Sequence, residues 1–190
     1  MDYRSFLVLI IVALCFMCGC ITAPAAESTL EGEGITDITL PAEVYRVTLG
    51  YALDDLAFAQ SEGFLPAENM AIHQINGAGV ELDGTATVWI LGATTRDNAT
   101  ALLVYDAYAW KAYSWPEQFG TPAIDMDAIM SPEDLFAAQG ETMQELLEIS
   151  EATEISLELI DGVYRVYARN GARMSDLSFD AESGELILSE

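Results

Sequence analysis

The chain has 190 residues, with 31 Asp+Glu against 7 Lys+Arg, a formal net charge of −24 and a single histidine. So acidic a surface repels phosphates, which excludes nucleic acid as a partner, and one histidine excludes any multi-histidine metal site. At 52% hydrophobic residues the chain is too apolar to be a disordered acidic tail, so a folded core is expected.

The first element is an address rather than part of that core. Phe6 to Met17 are twelve apolar residues in a row, preceded by Arg4. This length suits the apolar region of a signal peptide and falls short of the roughly 20 residues of a membrane-spanning helix. The run ends at Cys18-Gly19-Cys20, which resembles a prokaryotic lipobox: Gly19 stands before the cut and Cys20 is the residue that takes the lipid. Met17 occupies a position where that pattern prefers Leu. Cys15, Cys18 and Cys20 are the chain's three cysteines, so no disulfide is available to the 170 residues that follow. Residues 1–19 are therefore expected to be a signal peptide. Residues 20–41, small, polar and acidic, are expected to be a lipid-anchored flexible tether. An uncleaved hydrophobic anchor is the alternative. Both put the protein at the outer face of the cytoplasmic membrane or the cell surface, with the membrane as a partner.

Residues 42–120 and 121–190 read as one order of elements used twice. In the first unit a helix runs from about Gly50 to Glu62, with Leu53, Leu56 and Ala57 on one side, and Gly63 and Pro66 end it. Strands follow near Met70 to Asn76, Thr85 to Thr95, Ala99 to Tyr105 and Ala109 to Trp115, and Arg96-Asp97-Asn98 makes a turn. In the second unit Ser131-Pro132-Glu133-Asp134 supplies a cap, a proline at the first helical position and an acid three residues on. One helix is expected from there to Ser150, weakened or bent at Gly140.

Asp161-Gly162 and Asn170-Gly171 then separate alternating runs as two-residue hairpin loops. With those loops Glu158 lies opposite Arg165, and Arg165 opposite Asp176, a candidate surface charge row on one sheet face. Ile155, Leu157, Leu159, Tyr164, Val166, Leu177 and Phe179 point to the other face, which the helix should cover. A last strand is expected from Glu185 to Ser189. The fold class is α+β: two tandem units, each one helix on a four-stranded antiparallel sheet. Units of about 70 residues are marginal alone, so the two should pack together.

The second unit resembles a PepSY-type domain. The resemblance rests on Asp161-Gly162-Val163-Tyr164, on Asn170-Gly171, and on the ending Phe179-Asp180-Ala181-Glu182-Ser183-Gly184-Glu185-Leu186, a strand, an Asp-Ala-x-x-Gly turn and a strand. Asp83-Gly84-Thr85-Ala86-Thr87-Val88-Trp89 is similar to the central strand of tandem PepSY-like secreted proteins. The resemblance implies a protein that inhibits or regulates a peptidase, or binds another envelope protein, with no catalytic machinery and no cofactor.

The residues themselves offer little chemistry. There is no Gly-x-Ser-x-Gly elbow, no His-Glu-x-x-His and no phosphate loop. His73 lies on an alternating strand, on the side of Ala71 and Ile75, where a structural role is expected. Asp125, Asp127, Glu133 and Asp134 cluster, but the sixth and twelfth positions counted from Asp125 are Met130 and Phe136, which breaks the EF-hand pattern. Glu141, Glu145, Glu148, Glu151, Glu154 and Glu158 read as a solvated face. Tyr105, Tyr108, Trp110, Tyr113, Trp115 and Phe119 are concentrated in one stretch, either core and inter-unit packing or an exposed binding strip. Asn98-Ala99-Thr100 is a candidate N-glycosylation sequon in a turn.

The reading is a non-catalytic envelope lipoprotein that binds another secreted or membrane protein. A small-ligand or cation-binding surface module is the alternative, and a hydrolase the third. The acidity is spread over both halves and only Lys111 is a lysine, so it reads as an adaptation to salty surroundings, with stability rising on added salt.

Overall fold

Thr48 leaves the helical region and its hydroxyl accepts a hydrogen bond from the Tyr51 amide at 3.0 Å, which starts helix α1 (Leu49–Ser61). Ala52 and Leu56, one turn apart, are buried with Leu49. Four antiparallel strands follow as a meander: β1 (Ala71–Ala78), β2 (Val88–Thr94), β3 (Thr100–Tyr105) and β4 (Trp110–Trp115). The second half repeats the order with α2 (Pro132–Ala138), α3 (Gly140–Ser150), β5 (Glu154–Ile160), β6 (Val163–Asn170), β7 (Arg173–Asp180) and β8 (Leu186–Ile187). The computed structural model describes residues 45–65, 70–106 and 108–187. The expected signal peptide, the Cys20 junction and the tether lie outside the described residues, as do Pro66 and the expected end of the last strand at Ser189.

The expected pair of α+β units is present, and they join edge to edge. β1 pairs with β5 antiparallel, so the strand order is β4-β3-β2-β1-β5-β6-β7-β8 in one eight-stranded sheet. Joining two edges satisfies backbone groups that each unit alone would leave open. Helices cover one face in both halves. There Trp89, Leu91, Leu103, Leu157, Leu159, Tyr164 and Phe179 belong to one core with Leu56, Leu135 and Met143. Ala42–Glu190 accordingly forms one compact unit.

The core's polar atoms are tied to the chain ends of its elements. Trp110 Nε1 donates to the Ala52 carbonyl of α1 at 3.1 Å, and Trp89 Nε1 to the Val47 carbonyl at 3.0 Å. Tyr164 donates its hydroxyl proton to the Met130 carbonyl at 2.7 Å, which seats the start of α2. Two glycines permit close approaches. A Cβ on Gly77 would stand 2.7 Å from the Trp89 ring, and one on Gly84, at φ +79, would stand 2.7 Å from the Glu133 backbone. The Phe179–Gly184 ending works as a local knot. Asp180 Oδ1 accepts from the Ser183 amide and hydroxyl, both at 2.8 Å, which hold its carboxyl below the usual range.

Three expectations need correction. The helix expected from Ser131 to Ser150 is two, because Gln139 leaves helical geometry at φ −109 and its side chain donates to the Gly184 carbonyl at 2.9 Å. That tie fixes the break, since nothing lies within 4 Å of a Cβ on Gly140. The second hairpin loop is Gly171-Ala172, with Asn170 paired to Arg173. Asp161 and Gly162 both have positive φ, as a type I′ turn requires, whereas in the second turn only Gly171 does, the requirement of type II′. The register therefore slips by two: Arg165 faces Ser178, and Asp176 faces Tyr167. Lastly, His73 is the extra residue of a β-bulge between Ile72 and Gln74. The bulge puts Ile72 opposite Ala93 and Ile75 opposite Leu91, both on the core side, and turns His73 to the side of Phe119.

Candidate functional site

The face of the sheet away from the helices carries the feature that a ligand could use. After Trp115 the chain crosses this outer face as a strap, residues 116–124, from β4 back to β1. Gly92 makes room for it: a Cβ there would stand 2.7 Å from the Phe119 ring. The Phe119 ring stacks on His73 at 5.5 Å between centroids and 14° between planes. His73 Nδ1 lies 2.8 Å from the Thr121 carbonyl, which as an acceptor requires the tautomer with the proton on Nδ1. The Ile124 amide then donates to the Ile72 carbonyl at 2.7 Å.

Between strap and sheet lies an open groove of about 470 Å³. Ile90, Leu102 and Ile160 line it from the sheet, Trp115 and Phe119 from the strap side, with Gln74 and Asn76 supplying polar atoms. The size is that of a small-ligand or peptide side-chain site, apolar with few polar groups. Leu102 faces Tyr113 across the β3–β4 pair, and Tyr113 and Trp115 are 52% and 39% exposed. The apolar surface therefore continues from the groove to the free edge of the sheet.

A polar cluster borders the groove on β5. Glu158 accepts from the Tyr167 hydroxyl at 2.9 Å and from Gln74 Nε2 at 3.3 Å, and stands 3.5 Å from the Arg165 guanidinium. Burial first, and then the Glu158 carboxylate, hold the Tyr167 phenol above its ordinary pKa. Glu158 and Arg165 are cross-strand partners, as the first loop dictates, whereas Asp176 sits diagonally to Arg165.

The structure divides the aromatic stretch between roles. Tyr105 and Trp110 are buried and pack at 5.1 Å under α1, while Tyr108, Tyr113 and Trp115 are exposed and Phe119 is half-buried on the sheet. Asn98 is exposed at φ 58 in the β2–β3 turn, and the Thr100 hydroxyl of its sequon donates to the Trp115 carbonyl at 2.6 Å. Asp125, Asp127 and Asp134 are exposed, and among the described residues no three His, Cys, Asp or Glu side chains group as metal ligands. Of the expected Glu series, Glu141 through Glu154 face solvent and Glu158 is half-buried. No described helix is long and apolar enough to cross a membrane. Sequence reasoning missed the groove. Its one legible sign was Gly92, a glycine inside an otherwise strong strand.

No family model matches the chain, and no curated protein matches it. Among solved structures it is similar to a lipoprotein candidate from Clostridium difficile, at 17% identity and a TM-score of 0.46, over 77% of this chain and 93% of that one. A likeness of this degree fixes neither family nor role.

Proposed function

We propose that this chain is a non-catalytic cell-envelope lipoprotein of PepSY-like build, and that it binds another secreted or membrane protein through the outer face of its first half. The observation that carries this reading is the apolar groove continuous with exposed Tyr113 and Trp115 on a face that no described helix covers. A surface of this kind buries well against a partner's side chain or strand, and aromatic anchors at a free sheet edge are a recurring recognition device. If the partner is a peptidase, the mechanism is steric: the strap and edge fill its cleft.

Photo-crosslinking from position 113 in intact envelopes tests it. A repeatable partner lost in Leu102→Asp supports the reading, and an unchanged pattern in Leu102→Asp overturns it. The groove's size also favours the small-ligand reading, which calorimetry against divalent cations and short peptides separates from the first. His73→Ala should leave any hydrolysis by the preparation unchanged, because among the described residues its ring bonds a backbone carbonyl and stacks on Phe119, with no hydroxyl or thiol nucleophile hydrogen-bonded to it. The anchor has its own test. Cys20→Ser should block lipidation and signal removal, and an unaltered mature mass would remove Cys20 from the scheme.

A further inference from the structure

A second apolar surface lies on the helix side of the first half, apart from the groove. Tyr51 and Phe58 project from the outward side of α1 and are 57% and 61% exposed. Phe64 and Tyr108, at 77% and 76%, stand beside Phe58 around a cleft of about 220 Å³ that Trp110 closes from below. Tyr45 packs against Tyr108 at 5.9 Å between centroids and is itself 56% exposed. Five aromatic rings more than half exposed in one neighbourhood are costly in water and ask for a cover.

What covers them is indicated by where the described chain begins. The compact unit begins at Ala42, three residues before Tyr45, so the polypeptide leading from Cys20 joins the fold beside the patch. Only 24 residues separate Cys20 from Tyr45, a span of at most about 90 Å when fully extended. A fold held on such a leash meets the bilayer again and again at high effective concentration, with the patch at the attachment point. Tyrosine and phenylalanine are suited to that meeting, since their rings settle at headgroup depth while a phenol stays wet. Asp106 is paired with Lys111 and Arg46 with Glu81, which leaves Asp54 and Asp55 as the flanking carboxylates, so the surface fits a zwitterionic bilayer better than an anionic one.

We propose that this patch rests in the headgroup layer of the membrane that anchors the chain, which orients the fold with the outer sheet face free. The inference rests on the anchor reading, and the experiment keeps the two apart. The full chain is reconstituted in phosphatidylcholine vesicles, floated, and footprinted with hydroxyl radicals. The soluble form beginning at Ile21, which keeps the whole compact unit, is the reference. Tyr51, Phe58, Phe64 and Tyr108 should react about threefold or more slowly in vesicles, with Tyr113 and Trp115 unchanged. Phe58→Ser/Phe64→Ser, both at exposed positions, should return Tyr51 and Tyr108 to the reference rate. Flotation with equal rates overturns the patch proposal alone. Slow reaction already in the soluble form also overturns it, because the cover is then the chain's own preceding segment or a second copy. Protection that survives the double substitution overturns it likewise. A chain that does not float removes the anchor and the proposal together.

Discussion

The two halves of the sheet share one plan and differ on the face turned away from the helices. Around the groove of the first half that face is largely apolar, with Ile90, Leu102 and Val104 between the strap and Tyr113 and only Gln74 and Asn76 polar in the groove wall of β1. In the second it is polar, with Glu158, Arg165, Tyr167, Asp176 and Ser178 in the same alternate positions. The inner faces are alike, since both must bury against helices. The halves thus teach that the fold constrains one face and leaves the other free, and in the first half that freedom is spent on apolar side chains, which is what the proposed binding surface requires.

The largest expected effect asks whether the halves are energetically separate. Trp89 and Phe179 are wholly buried, one in each half. Replacing either by alanine should cost about 3–5 kcal/mol. Because β1 and β5 are hydrogen-bonded through five residue pairs, both variants should unfold in one transition. Two resolved transitions in denaturant, followed by tryptophan fluorescence and circular dichroism, would show the halves to be independent.

Alkali should then act on the whole unit through Tyr164 of the second half. Burial, and after it the Glu133 carboxylate, push the Tyr164 phenol far above its ordinary value. An unfolded tyrosine titrates near pH 10, so above that the unfolded chain releases a proton that folded Tyr164 keeps. Stability should be full below about pH 10 and fall as pH rises beyond it. Tyr164→Phe should flatten that fall in chemical denaturation series across the range.

Ser131 caps α2 by accepting from the Asp134 amide at 3.1 Å. Its loss in Ser131→Ala should cost about 1 kcal/mol, read from the denaturation midpoint.

On the outer face the contrast between the halves should reappear at smaller scale. In the first, Gly92→Ala should displace the half-buried Phe119 ring with little loss of stability, about 1 kcal/mol or less, and raise amide exchange at Ile124. In the second, Glu158→Gln should cost less than about 1 kcal/mol. It should also bring the Tyr167 titration downward without restoring it fully, since burial is the larger cause.

How much of this was legible residue by residue follows a pattern. Asp161-Gly162 specified its turn because both residues take positive φ, and the Glu158–Arg165 pairing came with it. Asn170-Gly171 read the same way and was not, because Gly171 alone satisfies a type II′ loop and nothing local chooses between the two registers. The break at Gln139 was hidden for another reason: its partner, the Gly184 carbonyl, lies 45 residues away. His73 was misplaced because a bulge resets the period-two alternation that its assignment assumed. The groove was invisible because its walls come from β1, β2, β3, β5 and the strap.

The sequence by itself determined most of the elements, their duplication and the buried side of the second-half strands, because periodicity, caps and turn residues are short-range signals. It also grouped the three cysteines within six residues of one another, ahead of the described residues. Only the tertiary structure decided that two sheets become one through β1 and β5, that the strap crosses the outer face over Gly92, and that the exposed aromatics gather at Tyr45. Each of these depends on which distant backbone edges and side chains meet. Such meetings are fixed by the shape and burial of the whole core, to which no local pattern is sensitive.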